Sequence, residues 1–195
     1  MRLQNDLEVF NMTDNIVGGD LSKAFDPNLI LSLIHSDDLI GVVLRIHFSL
    51  EELLNLWCDK ITKVDNFLDI GFIGFDKKLL IAKKLGLPDD LFLVFKQFNK
   101  IRNSFAHDHN QKLDLQKLID IKNNIDPIET FIAPVPKISE GSYIDGINNK
   151  KYKWDDPDLS ILKKFVYLYM TFGMKVIYRF KYEFSLKNLD HKFTR

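Results

Sequence analysis

One cysteine, Cys58, stands in a chain of 195 residues. No disulfide framework can be built from it, and a lone thiol suits a reducing cytoplasm. Its setting, ELLNLWCDK, reads as a helix-packing position rather than a reactive one. No apolar run reaches the roughly 18 residues needed for a hydrophobic membrane span. The opening MRLQNDLEVF lacks the apolar stretch of a secretory signal, so Asn11-Met12-Thr13 carries no weight as a glycosylation site and the expected location is cytoplasmic. An excess of one charge is missing too: 27 Lys and Arg balance 27 Asp and Glu, which argues against broad electrostatic binding of nucleic acid. There is no Gly-rich phosphate loop, no Ser-His-Asp order and no paired-carboxylate motif. A helix-turn-helix with a basic recognition helix is also absent, which argues against specific reading of DNA. Internal repeats and low-complexity tracts are not seen.

What remains is a globular composition, 46% hydrophobic with 16 Phe, and long enough for one domain with a real core. The charge is unevenly spread: residues 150–195 hold 11 Lys and Arg against 5 Asp and Glu, and residues 1–149 hold 16 against 22. The basic part suits either a solvated helix face or contact with a polyanion.

The patterning predicts an all-α fold. Residues 1–35 read as a lead-in, irregular around Gly18-Gly19 and Asp26-Pro27, with a short helix over 28–34. Ser36 or Asp37 caps a long helix reaching about residue 62, with Val43, Ile46, Leu50, Leu53, Trp57 and Ile61 on one stripe. A helix over 75–86 ends at Gly86, and another follows Pro88 to residue 107. A further helix covers 111–124. Four of the six prolines then fall within 126–157, a long irregular insertion of the kind that is often functional or mobile, with a hairpin at Asp145-Gly146. Asp156 as cap and Pro157 as first residue open the last helix, which runs to about 184. Leu162, Phe165, Tyr169, Phe172, Val176, Phe180 and Phe184 form its apolar stripe.

The chemistry concentrates in KIRNSFAHD, residues 100–108. At 100° per residue, with Phe98 at zero, Arg102 falls at about 40°, on the margin of the stripe formed by Leu91, Phe95, Phe98, Ile101 and Phe105. Asn103 at about 140° and His107 at about 180° share the far side with Lys96 and Lys100. Arg102 and His107 therefore converge only if the helix uncoils near residue 106 or if two chains meet across this ridge. An imidazole titrating near neutrality can take a proton from a ribose 2′-hydroxyl, and a guanidinium can hold the phosphate and stabilise its growing charge. A fold-supporting role is equally open to these residues, with Arg102 capping a helix end or pairing with a carboxylate such as Glu51. His47, near the stripe of the long helix, reads as a core residue with Glu51 one turn on. His107-Asp108-His109 alternates donors, but no Cys or third His lies near to complete a metal site.

Arg102-Asn103-x-x-x-His107 resembles the R-N-x-x-x-H signature of HEPN domains. The longer FDKKLLIAKKLGLPDDLFLVFKQFNKIRNSFAHD, residues 75–108, is similar to the mannitol repressor-like (MltR) branch, as is VVLRIHFSLEELLNLWCDKI upstream. The resemblance covers about residues 37–125 and the last helix, within a domain over 36–195; the insertion at 126–157 departs from the family pattern. It implies an up-down helical bundle that forms a homodimer, with Arg102 and His107 at a composite cleft. As an endoribonuclease of toxin or defence type, the chain would use His107 as base, Arg102 on the phosphate and Asn103 to orient. Lys96 and Lys100 would touch the substrate, RNA would be the ligand, and no metal or other cofactor would be needed. The MltR branch implies an alternative, a non-catalytic regulatory dimer that binds a regulatory protein. The toxin reading implies a cognate antitoxin.

Overall fold

The computed structural model describes residues 19–107, 111–144 and 150–192, and at His107 the backbone alone. Six α-helices pack together among the described residues, with a two-stranded hairpin before the last. After a 3-10 turn at Gly19–Leu21, α1 spans Pro27–His35 and α2 Leu39–Thr62. Next come α3 over Phe75–Lys84, α4 over Asp89–His107 and α5 over Leu115–Ile125. Strand β1, Tyr143–Ile144, pairs antiparallel with β2, Lys151–Tyr152, and α6 runs from Ile161 to Leu186. The turn expected at Asp145-Gly146 lies outside the described residues, as do Asp108, His109 and the segment before Gly19.

Local chemistry sets the helix ends. Asp26 caps α1 by accepting from the Asn28 and Leu29 amides, with Pro27 at the first position, where its missing N–H costs nothing. Asp38 caps α2 by accepting from the Gly41 amide at 3.0 Å, in place of the expected Ser36 or Asp37; Ser36 Oγ instead accepts from the Asp38 amide. Gly86, at φ 88°, follows the end of α3 and takes the left-handed conformation that a side chain resists. Two further starts differ from the sequence reading. Asp114, not a residue near 111, caps α5. Ser160, not Asp156, caps α6, because the Asp156 carboxylate is engaged by the Asp158 amide in the preceding turn.

The core has two aromatic centres. Phe98 of α4 lies 5.5 Å from Phe165 and 5.8 Å from Phe172 of α6, and Trp57 of α2 lies 4.9 Å from Phe180. Helix α2 packs against α1, α3, α4 and α6, while α4 sits between α3 and α5. The lead-in belongs to the same core: Leu21, Ala24, Phe25 and Leu33 are buried in it. At Gly173 a β-carbon would stand 2.7 Å from the Phe25 ring, so the missing side chain is what lets α6 receive that ring. Behind Phe25, the fully buried Tyr169 hydroxyl meets Ser49 Oγ at 2.5 Å, and Ser49 donates to the Ala24 carbonyl.

Helix α6 buries far more than its predicted stripe, since Val166, Tyr167, Leu168, Met174, Lys175 and Ile177 are buried as well. The cover is the irregular segment after α5. Its Ile128, Ile138, Tyr143, Tyr152 and Trp154 are buried, and Tyr167 donates to the Ile138 carbonyl. Lys175, 2% exposed, ties that cover down by donating to the carbonyls of Asp126 and Ile128, both at 2.9 Å. Asp126 organises the same turn through bonds from the Ile138 amide and Lys122 Nζ. Apolar residues all round a helix require partners all round it, and the insertion supplies them.

Candidate functional site

Helix α4 is continuous through His107, so its backbone keeps Arg102 and His107 about 140° apart. Uncoiling before His107 therefore does not bring them together. The His107 side chain lies outside what the structure describes, as does His107-Asp108-His109 as a ligand set. Among the described residues no group of three or more His, Cys, Asp or Glu is placed to hold a metal ion.

Arg102 and Asn103 are both half-buried, whereas Lys96 and Lys100 are exposed. Asn103 lies on the side of the wheel away from the apolar stripe yet is half-buried, because α4 packs against α2, α3 and α5. The buried arc of α4 is wider than its apolar stripe and takes in Asn99, which is 3% exposed. Asn99 Nδ2 donates to Asp76 Oδ1 at 2.7 Å, fastening α4 to the first turn of α3. Arg102 Nη1 donates to Asn103 Oδ1 at 3.2 Å. Arg102 Nε is buried with no hydrogen-bond partner, and the side chain forms no ion pair among the described residues. A positive charge in the last turns of α4 is favoured by the partial negative charge at a helix C-terminus.

The nearby carboxylates are engaged elsewhere. Glu51 does not pair with Arg102. Its Oε1 meets Lys78 Nζ at 2.7 Å and its Oε2 lies 3.9 Å from His47 Nε2. Lys78 Nζ also donates to Asn55 Oδ1 at 3.3 Å. His47, 7% exposed, packs its ring 4.7 Å from that of Phe75. Burial first, and the Arg102 charge second, push its pKa down from 6.5 to about 4 against the opposing pull of Glu51 and Asp76. The imidazole is thus neutral at physiological pH and adds no charge beside the guanidinium.

Lys78–Glu51–His47 ties α3 to α2 and Asn99–Asp76 ties α4 to α3, while the Arg102–Asn103 bond lies within α4. Sequence reading found Arg102, Asn103 and the His47–Glu51 pair, and missed Asn99, Asp76 and Lys78. The available signal for Asn99 was its spacing, three residues before Arg102 and four before Asn103, which keeps it on their side of the helix.

A cleft of about 1040 Å³ opens beside this network, between the C-terminal half of α2, the 63–73 loop and residues 188–190. Glu51, Asn55 and Lys78 reach its wall, but Arg102 and Asn103 do not. Its lining carries an excess of acids, Asp20, Glu52, Asp59, Asp65 and Asp69 among them, which disfavours a polyanion there. The candidate phosphate site is thus the α4 ridge and not this cleft. No helix among the described residues is long and apolar enough to cross a membrane. Against protein-family models, curated proteins and solved structures, the chain has no match.

Proposed function

We propose that the protein is a metal-independent endoribonuclease of HEPN type, acting as a homodimer on RNA. The observation that carries this reading is the state of Arg102. Its guanidinium is half-buried, bonded to a neutral amide and without a carboxylate partner among the described residues, while Glu51 is held by Lys78 and Asp76 by Asn99. A half-buried cation with spare donors favours an anion, and the guanidinium fork matches phosphate.

In the reaction, the His107 imidazole takes the proton of a ribose 2′-hydroxyl, and the 2′-oxygen bonds to the adjacent phosphorus. The bond from phosphorus to the next nucleotide's 5′-oxygen breaks, and that oxygen is protonated as it leaves. Arg102 stabilises the charge on the non-bridging oxygens, and Asn103 holds Arg102 in line. The products are a 2′,3′-cyclic phosphate and a 5′-hydroxyl. The unbroken α4 backbone makes a second copy the means of bringing Arg102 and His107 together, and exposed Lys96 and Lys100 extend the ridge along the RNA backbone.

The test is cleavage of mixed RNA by the purified chain, with end-group analysis. Arg102→Ala and His107→Ala are expected to abolish cleavage while the dimer persists, and EDTA is expected to leave it intact. Full activity in either variant, or loss of activity with EDTA, overturns the reading.

One observation favours a second reading, the non-catalytic MltR-type regulatory dimer. Ile40, Leu44 and Phe48 repeat every four residues on α2 and are 40%, 37% and 62% exposed, an apolar row suited to a protein partner. RNA left intact, together with a stable complex with one regulatory protein that is lost on Phe48→Asp, selects this reading.

A further inference from the structure

We propose that the exposed face of α2 joins two copies of this chain, with Phe48 beside its twin at a two-fold axis and Arg45 of each copy paired with the partner's Glu52. This names the contact face of the proposed homodimer and rests on that part of the proposed function.

Three residues carry it. Phe48 is 62% exposed on a helix whose other faces pack against α1, α3, α4 and α6. Arg45 is half-buried, its Nη1 is a buried donor with no hydrogen-bond partner, and it enters no ion pair among the described residues. Asp38, whose carboxylate borders the same Gly41 as Arg45 Nη1, is engaged as the cap of α2 and accepts from the Gly41 amide at 3.0 Å. Glu52 is half-buried too, and among the described residues it accepts one bond, from Asn55 Nδ2 at the long distance of 3.4 Å. Seven residues, about 10.5 Å of helix rise, keep Arg45 and Glu52 from pairing within one chain.

The arrangement selects a second copy over other apolar partners. At 100° per residue, Arg45 lies about 60° and Glu52 about 40° round the helix from Phe48, both on the same flank. Arg45 stands about 4.5 Å before Phe48 along the axis, and Glu52 about 6 Å after it. Consider two antiparallel α2 helices side by side, with a two-fold axis at Phe48 normal to their common plane. That rotation keeps each residue on its own flank and exchanges before for after. Arg45 then faces the partner's Glu52 within about 1.5 Å of level, and the pair is made twice. On the other flank Leu44, 37% exposed, comes against the partner's Glu51, whose carboxylate Lys78 already neutralises at 2.7 Å. A parallel pairing opposes like charges instead, Arg45 to Arg45 and Glu52 to Glu52. The face is thus complementary to itself in one orientation.

The test is self-association of the full chain, read by sedimentation equilibrium, with circular dichroism reporting folding. Phe48→Asp is expected to weaken dimerisation about tenfold or more. Arg45→Glu leaves only acids at the contact and Glu52→Arg only bases, so each is also expected to weaken it about tenfold or more. An equimolar mixture of these two variants remakes both pairs between unlike chains, and the double variant Arg45→Glu/Glu52→Arg remakes them between like ones. Both are expected within about threefold of wild type. Should one single variant fail to fold, the double variant and Phe48→Asp decide. A dimer that all these variants leave intact overturns this face and leaves the homodimer standing. Weakening without recovery in the mixture or the double variant also overturns it, because loss without complementarity is plain damage. A wild-type chain that stays monomeric at every concentration overturns both the face and the homodimer. A monomer that instead binds a regulatory protein through Phe48 does the same, and assigns the apolar row to that partner.

Discussion

Arg102 and Asn103 are neighbours in sequence whose side chains also meet, Nη1 donating to Oδ1 at 3.2 Å at the margin of the α4 packing surface. Among the described residues the rest of the guanidinium fork has no partner. The bond fixes which way the fork points, and orientation of a charged group matters most in the transition state. Asn103→Ala is therefore expected to lower kcat by about 10- to 100-fold, about 1.4–2.7 kcal/mol of barrier. KM should change little, and stability by no more than about 1 kcal/mol because the side chain is only half-buried. Steady-state cleavage kinetics beside urea unfolding check this. A pure rise in KM would assign Asn103 to ground-state binding instead.

His47 gives the fold an acid-sensitive joint between α2, α3 and α4. Its pKa falls from 6.5 to about 4, through burial above all and through Arg102, with Glu51 and Asp76 opposing. The unfolded chain gains a proton at His47 below 6.5, whereas the folded chain refuses it until about 4. The neutral imidazole's contribution is thus complete above 6.5 and is lost as pH falls through that window. The full effect is on the order of 3 kcal/mol, of which about 2 kcal/mol is gone by pH 5. His47→Gln, which does not titrate, is expected to lose about 2 kcal/mol less than wild type between pH 7 and pH 5 in urea unfolding. Equal losses in the two proteins would show that His47 does not carry the acid sensitivity.

These groups also show what the sequence made legible and what it hid. Helices α2, α3 and α4 stood out because their stripes, and Gly86 with Pro88, are local signals read at fixed spacing. Arg102 and Asn103 stood out through the same helix. The start of α6 was hidden because Asp156-Pro157 imitates a cap and first residue, while the Asp156 carboxylate is used by the Asp158 amide and Ser160 takes over the cap. The partners Asp76, Lys78 and Asn99 were hidden for a different reason. Each lies on a helix whose own pattern explains it as polar surface, and its role arises only where three helices cross. The insertion at 126–157 was read by its prolines as irregular. Its buried Ile138, Tyr143 and Trp154, seated on the second face of α6, could not be told from isolated apolar residues.

Lys175 is the test of whether that insertion is a cover or an ornament. Its ammonium is 2% exposed and holds the Asp126 and Ile128 carbonyls at 2.9 Å each. Burial lowers its pKa, with Asp126 pulling the other way. Met has a similar unbranched stem, so Lys175→Met keeps the packing and deletes the donors. Two buried carbonyls are then left unpaired, which costs about 2–4 kcal/mol. The damage should be local before it is global, since the bonds tie only the turn after α5 to α6. Hydrogen exchange is expected to quicken at the Ile128 and Ile138 amides, which bond to the Ile125 carbonyl and the Asp126 carboxylate, while the α2 amides around Leu53 stay protected. Uniform acceleration across α2 and the insertion would mean that the cover and the bundle form one cooperative unit. Unchanged exchange and stability would mean that the aromatic packing of Tyr143 and Trp154 around Tyr167 holds the insertion without the lysine.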